Sequence, residues 1–408
     1  MTLLVVAVFV LTYLGMAAGR WPGLAVDRTG IALLGALVVV LAGAVPAAEV
    51  QAAVDWPTLV ILFGLMILSA QAAQAGLYDW CARRIAVAEA APERLLALLV
   101  VTAGGLSMVL ANDVVVFAMT PMLCAGLTGR GLDARPFLIG LAGAANAGSA
   151  ATLIGNPQNI LIGQVGGLDF WAFAAACGVP ALIGLACVHL VVSRLWRGRW
   201  HLAQAGALPP VPEVDRPALW KAGAAALLLL GLFSAPLPHT TGVLLVAGLL
   251  LVSRRMATRT MLGMVDWHLL VLFAGLFVVT KALALTGLPA QGVAALAEAG
   301  LVPDRLSVLL PLSLVGSNTI GNVPLVMLLL AVWPDLAPGT LYGLAALSTL
   351  AGNLLVVGSL ANIITVERAR AAGVTLSFAD HARCGVPMTL LSLAGAALWL
   401  WLAGYLAI

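Results

Sequence analysis

The sequence predicts an all-α polytopic membrane protein made of two inverted repeats. Each repeat has five transmembrane helices and includes a re-entrant helical hairpin and a broken helix. Three observations predict this fold: an apolar composition, a set of collinear duplicated blocks, and a lopsided distribution of Lys and Arg. Of the 408 residues, 62% are hydrophobic and 9% are charged. A soluble domain carries about 25% charged residues, so lipid must be the solvent for most of this surface. A spanning helix takes roughly 20 residues, which leaves room for about ten to twelve crossings.

The net charge of +3 gives no argument for a nucleic-acid partner, and none is expected. Met1–Ala18 is apolar but has no preceding Lys or Arg, so it reads as a retained helix rather than a signal peptide. The five cysteines (Cys81, Cys124, Cys177, Cys187 and Cys384) are scattered and form no CxxC pair. They predict neither a disulfide framework nor a thiolate metal site. The histidines fall near helix ends or loops and are expected at the surface.

The duplication is visible by eye. VDWPTLVILFGLMILSAQAAQAGL, opening at Val54, and VDWHLLVLFAGLFVVTKALALTGL, opening at Val265, share ten of 24 positions. Ser107 and Asn112 recur as Ser317 and Asn322, and Gly155 and Asn159 recur as Gly358 and Asn362. The first repeat therefore covers 1–199, with a hairpin over 94–128 and a broken helix over 137–163. A cytoplasmic linker, 200–218, is polar and Pro-rich. The second repeat covers 219–408, with a hairpin over 303–334 and a broken helix over 341–365. Tyr78–Arg94 is amphipathic and is expected along the cytoplasmic interface.

Charge orients these elements. If each long fourth stretch returns to its own side, 18 of the 20 Lys and Arg fall on one face. Arg305 falls on the other face and Lys281 within a helix. The positive-inside rule then makes the loaded face cytoplasmic and both termini periplasmic, in a bacterial inner membrane. Two full crossings in place of a re-entrant hairpin would give the same parity. Five crossings per half make the repeats antiparallel, an arrangement common in secondary transporters.

Irregular backbone at membrane depth is tolerated only where protein buries it or it lines a cavity. Four such breaks occur in repeat-related pairs. Gly155, Asn156 and Pro157 form a breaker, a cap and a first-turn Pro, and Gly358 with Ser359 is their partner. The hairpin tips supply Asn112 with Asp113, and Asn322 with Val323 and Pro324. Restarted helices aim N–H groups at the centre and suit an anion, while the freed carbonyls suit a small cation. Nothing in this set suggests bond-making chemistry, so no enzyme and no cofactor are expected. H⁺ or Na⁺ is expected as the coupling ion.

These paired motifs, GSAATLIGNPQNILI and AGNLLVVGSLANII behind Ser-x4-Asn hairpins, resemble the ion transporter superfamily of citrate, arsenite and divalent-anion permeases. The likeness is greatest to its bacterial anion-permease branch. The resemblance implies a scaffold, a transport domain that moves like an elevator, and a homodimer in the lipid bilayer. It also implies one Na⁺ site at Ser107, Asn112 and Gly155 and another at Ser317, Asn322 and Gly358, with Asn159 and Asn362 bracing the loops. The Ser-Asn-Thr string at 317–319 is out of register with the tip and carries no expectation.

Asp113 is the one carboxylate expected at membrane depth and is the candidate coupling residue. It would act as a proton carrier or as part of a cation site, against the plainer role of a helix cap. The leading substrate is a small inorganic or organic anion. Proton-coupled efflux of arsenite or antimonite is the alternative, and sodium/proton antiport is a third reading.

Overall fold

The computed structural model describes every residue except 20, 22, 203–205, 236, 254, 255 and 334, so Arg20, Arg254 and Arg255 of the charge count lie outside the described residues. The fold is helical throughout. The first half gives α1 (Thr2–Ala18), α2 (Arg28–Leu41), a short α3 (Val50–Ala53), α4 (Trp56–Gln74) and α5 (Leu77–Val87). It continues with α6 (Pro92–Ser107), α7 (Asn112–Gly129), α8 (Arg135–Ser149), α9 (Pro157–Val165) and α10 (Phe170–Leu195). The second half repeats that order as α11 (Arg216–Phe233), α12 (His239–Leu251), α13 (Thr258–Gly263), α14 (Trp267–Leu285) and α15 (Leu288–Glu298). It closes with α16 (Leu306–Thr319), α17 (Asn322–Val332), α18 (Pro338–Ala351), α19 (Leu360–Ala371) and α20 (Phe378–Leu402).

The repeated Val-Asp-Trp has a local cause. Asp55 caps α4 by accepting from the Thr58 N–H, and Asp266 caps α14 by accepting from the Leu269 N–H, both at 2.9 Å. The indole N–H of Trp56 donates to the Gln51 carbonyl, and that of Trp267 to the Leu262 carbonyl, both at 3.0 Å. One helix-start device is thus used twice. Both copies end on a glycine at positive φ, Gly76 and Gly287, which turns the chain into α5 and α15. The sequence reading missed α15, a short helix with no buried residue.

Packing follows the duplication. Helix α2 lies against α14 as α12 lies against α4; α5 packs on α7 as α15 packs on α17; and α7 meets α19 as α17 meets α9. Among the described residues, six helices are long and apolar enough to cross a membrane: α4, α7, α10, α11, α14 and α20. Large apolar side chains on α2 and α11 stand open, among them Leu41 at 85% and Trp220 at 80% exposure. Lipid accommodates such a surface where water would not.

The centre belongs to α8 and α18. Every residue of α8 from Pro136 to Ser149 is buried, and so is α18 from Thr340 to Ala351. Small residues make this possible, because Gly148 brings the α8 backbone against the backbone of Gly104 on α6 with no room for a Cβ. Replacing Gly148 by Val should force these helices apart and cost about 1–3 kcal/mol, the usual range for overpacking. A lowered melting temperature in detergent would register it, while Gly105→Val, which meets open space, should melt near the parent.

Candidate functional site

Two interrupted helices build the middle of the molecule. Between α8 and α9, Asn156 caps the restart by accepting from the Asn159 N–H at 2.9 Å, with Pro157 in the first turn. Between α18 and α19, Ser359 caps the restart by accepting from the Ala361 N–H at 3.2 Å. The carbonyls released upstream are collected by one amide in each half. Asn159 Nδ2 donates to Ser149 O at 3.1 Å and Thr152 O at 2.9 Å. Asn362 Nδ2 donates to Gly352 O at 2.8 Å and Leu355 O at 3.0 Å. Gly155 lies on the Ser149 carbonyl and Gly358 on the Gly352 carbonyl, so neither has space for a side chain.

The halves also bond to each other through residues the sequence reading overlooked. Asn146 Oδ1 accepts from Ser359 Oγ at 2.8 Å, and its Nδ2 donates to Asn353 Oδ1 at 2.8 Å and Asn362 Oδ1 at 3.2 Å. Thr349 holds the equivalent place in the other half and accepts from Gln158 Nε2 at 3.1 Å and Asn156 Nδ2 at 3.4 Å. An amide in the small-residue run AGAANAGSA was the available signal, because a buried Asn needs partners.

At the first hairpin tip, the Ala111 N–H donates to Ser69 Oγ at 3.1 Å and Asn112 Nδ2 donates to Asn146 Oδ1 at 3.4 Å. Among the buried side-chain oxygens with no hydrogen-bond partner are three of the site residues of this half: Ser107 Oγ, Asn112 Oδ1 and Asn159 Oδ1. Neutral oxygen donors of this kind fit a small hard cation, so Ser107 and Asn112 beside Gly155 could hold Na⁺. The second set fits less well. Ser317 Oγ donates to Ser348 O at 3.1 Å, and Asn322 Oδ1 accepts from its neighbour, the Val323 N–H, at 2.9 Å. Among the described residues no hydrogen bond joins Asn322 to the first hairpin.

The string at 317–319 is not idle. Asn318 Nδ2 donates to Leu314 O and Ala351 O, both at 2.9 Å, and its Oδ1 accepts from the Leu355 N–H at 3.2 Å. It ties α16 to the break after α18. His381 also departs from its expected surface place. It is 1% exposed and its ring bonds to the Asn353 carbonyl at 3.2 Å.

A cavity of about 640 Å³ reaches the first tip and the first break, and Asp113, Asn156, Asp79, Asp266, Phe117 and Arg368 are among the residues lining it. Asp113 is half-buried and makes no hydrogen bond or ion pair among the described residues. Asp79, on the short helix α5, has its carboxyl held above the usual range by burial. Of the site residues read from the sequence, Asp113 and Asn156 line this space, while Ser107, Asn112, Gly155, Asn159, Ser317, Asn322, Gly358, Ser359 and Asn362 do not.

The citrate transporter family profile matches residues 6–350. The chain belongs to the citrate transporter family. As a member it is a membrane transporter, and its relatives agree. The 46 kDa membrane protein of Mycobacterium leprae is 31% identical, over 98% of this chain and 99% of its own. The silicon efflux transporter LSI3 of Oryza sativa subsp. japonica is 27% identical, over 90% of this chain and 91% of its own. Among solved structures, the YdaH transporter of Alcanivorax borkumensis shares the fold at a TM-score of 0.61. It is 16% identical and the match covers 99% of this chain and 98% of that one.

Removing the Asn146 side chain strands Ser359, Asn353, Asn362 and Asn112 together. Asn146→Ala is expected to lose about 1–3 kcal/mol for each buried group left unpaired. Asn146→Asp keeps an acceptor for Ser359 but turns an oxygen toward those of Asn353 and Asn362, so it should not restore the parental melting temperature.

Proposed function

We propose that this chain is a secondary active transporter that moves a small inorganic or organic anion across a bacterial inner membrane, driven by H⁺ or Na⁺. Two inverted repeats, each with five crossings, a hairpin and a broken helix, form it, with both termini periplasmic. The matched packing of α2 on α14 and α12 on α4 supports a pseudo-twofold relation between halves, and the Arg distribution supports the orientation. In that orientation the cavity opens to the cytoplasm.

Alternating access follows the elevator pattern. Hairpins and broken helices travel as one body, because Asn146, Thr349 and Asn318 tie them to one another. The paired helices α2 and α14, and α4 and α12, serve as the scaffold and would meet a second copy in a homodimer.

One observation carries the coupling assignment: Asp113 stands at a hairpin tip, inside the cavity, with no partner of its own. A carboxylate so placed takes up a proton or a cation on one side of the membrane and releases it on the other. The orphaned oxygens of Ser107, Asn112 and Asn159 offer Na⁺ a neighbouring place.

A second reading, efflux of a neutral oxyacid such as arsenite, draws on the same cavity. Three carboxylates (Asp79, Asp113 and Asp266) line it against one guanidinium, a balance that favours an uncharged cargo. The name of the rice relative points the same way.

The test is flux in proteoliposomes under imposed pH and sodium gradients. Asp113→Asn should fold and still exchange substrate down its own gradient, yet lose at least about 90% of gradient-driven accumulation, since removing a tenfold driving force is worth about 1.4 kcal/mol. Accumulation at the parental rate in that variant would refute the coupling role.

A further inference from the structure

Arg368 sits in the last turns of α19, where an arginine near a helix end would ordinarily reach outward and end in water. It does not. Its guanidinium carbon lies 4.0 Å from the centroid of Phe117 on α7. Its Nε is buried and has no hydrogen-bond partner. The ion pairs among the described residues both belong to Arg135, so Arg368 has no carboxylate either. Arg370, two residues on, is exposed.

Among the described residues, Arg368 is also the sole Lys or Arg lining the cavity that holds Asp113. Asp113 and Phe117 are one turn apart on α7, so they project from neighbouring positions of the same helix face. Of the other two carboxylates, Asp266 is engaged in capping α14, and Asp79 lies on α5. Among the described residues, the charge of Arg368 is therefore claimed by an aromatic face and by nothing else.

A ring face satisfies a cation from one side. It leaves the in-plane N–H donors of the guanidinium unused, and burying such a donor without an acceptor is costly. A planar fork of donors, held flat by an aromatic ring and unpaired within a cavity, is matched to two oxygens of an anion. We propose that Arg368 is the oxyanion receptor of this cavity. It binds a carboxylate or a small inorganic oxyanion of the cargo, with Phe117 fixing the plane of the fork. Three carboxylates alone would repel such a cargo, and Arg368 with a protonated or cation-bound Asp113 makes entry possible. This deepens the anion-transport reading by naming the group that recognises charge, and it selects against the neutral oxyacid.

Thermal melting of the purified full chain tests it without any transport step, so its failure is separable from failure of the coupling assignment. Acetate, sulfate and phosphate are titrated against chloride at constant ionic strength, with arsenous acid, neutral near pH 7, as the uncharged probe. At least one oxyanion should raise the melting temperature of the parent saturably. Arg368→Gln should melt like the parent without ligand and bind that anion about tenfold more weakly or worse, the loss of one charge-assisted bond. Arg368→Lys should keep a reduced response, and Phe117→Leu an intermediate one. If Arg368→Gln fails to fold, phenylglyoxal labelling of the parent, read at Arg368 by mass spectrometry, should be slowed by the same anion. No response of the parent to the three oxyanions overturns the proposal. So does an equal response in Arg368→Gln, undiminished labelling of Arg368 with anion present, or stabilisation confined to arsenous acid.

Discussion

An interrupted helix inside lipid exposes carbonyls and N–H groups that no water can satisfy, and this molecule contains two such interruptions. Each unsatisfied group costs kilocalories at that depth. The answer is a single asparagine per half, Asn159 and Asn362, whose amide takes up two released carbonyls. Everything central follows from that need. The glycines that precede the restarts must lack side chains so that the backbone can fold against itself. Helices α8 and α18 must be built from small residues so that neighbours can approach the breaks.

The breaks are not left to their own halves. Asn146 serves the second break and Thr349 serves the first, so the polar centre is an exchange between two copies of one design. The surrounding helices repeat the arrangement in apolar form, with α2 on α14 and α4 on α12. Hydrogen bonds concentrate at the centre and apolar contacts at the periphery, with Thr29 donating to the His268 carbonyl between α2 and α14 and Ser69 of α4 accepting from the tip at Ala111. The equivalence is imperfect: Ser107 Oγ and Asn112 Oδ1 lack the partners that Ser317 Oγ and Asn322 Oδ1 have. Duplication supplied the frame, and divergence has left its two halves chemically unequal.

Much of this was legible in the sequence because its signals are local. Asp55 and Asp266 announce helix starts, and Gly155, Asn156 and Pro157 spell out a stop and a restart within three positions. What escaped reading was non-local or low in contrast. Asn146 sits among alanines and glycines, and its value comes from Ser359 and Asn353, more than two hundred residues away. Asn318 was set aside because register with the tip was the criterion, whereas its partners lie across the hairpin at Ala351 and Leu355. His381 follows a capping box and looks like a surface residue until the Asn353 carbonyl folds over it. The pairing of Arg368 with Phe117 joins helices from different halves, and no spacing rule reaches that far.

The exchange of bonds between halves has a consequence for synthesis. Asn156 and Gln158 leave the ribosome 193 and 191 residues ahead of the threonine that receives them. Until Thr349 emerges, Asn156 has only its local bonds to Ser149 and the Gln158 amide lacks its acceptor. Contacts this distant in sequence close late and slowly. The first half is therefore an insertion intermediate that must be kept open, and a nascent chain truncated before α18 should be recognised by membrane quality control as incomplete.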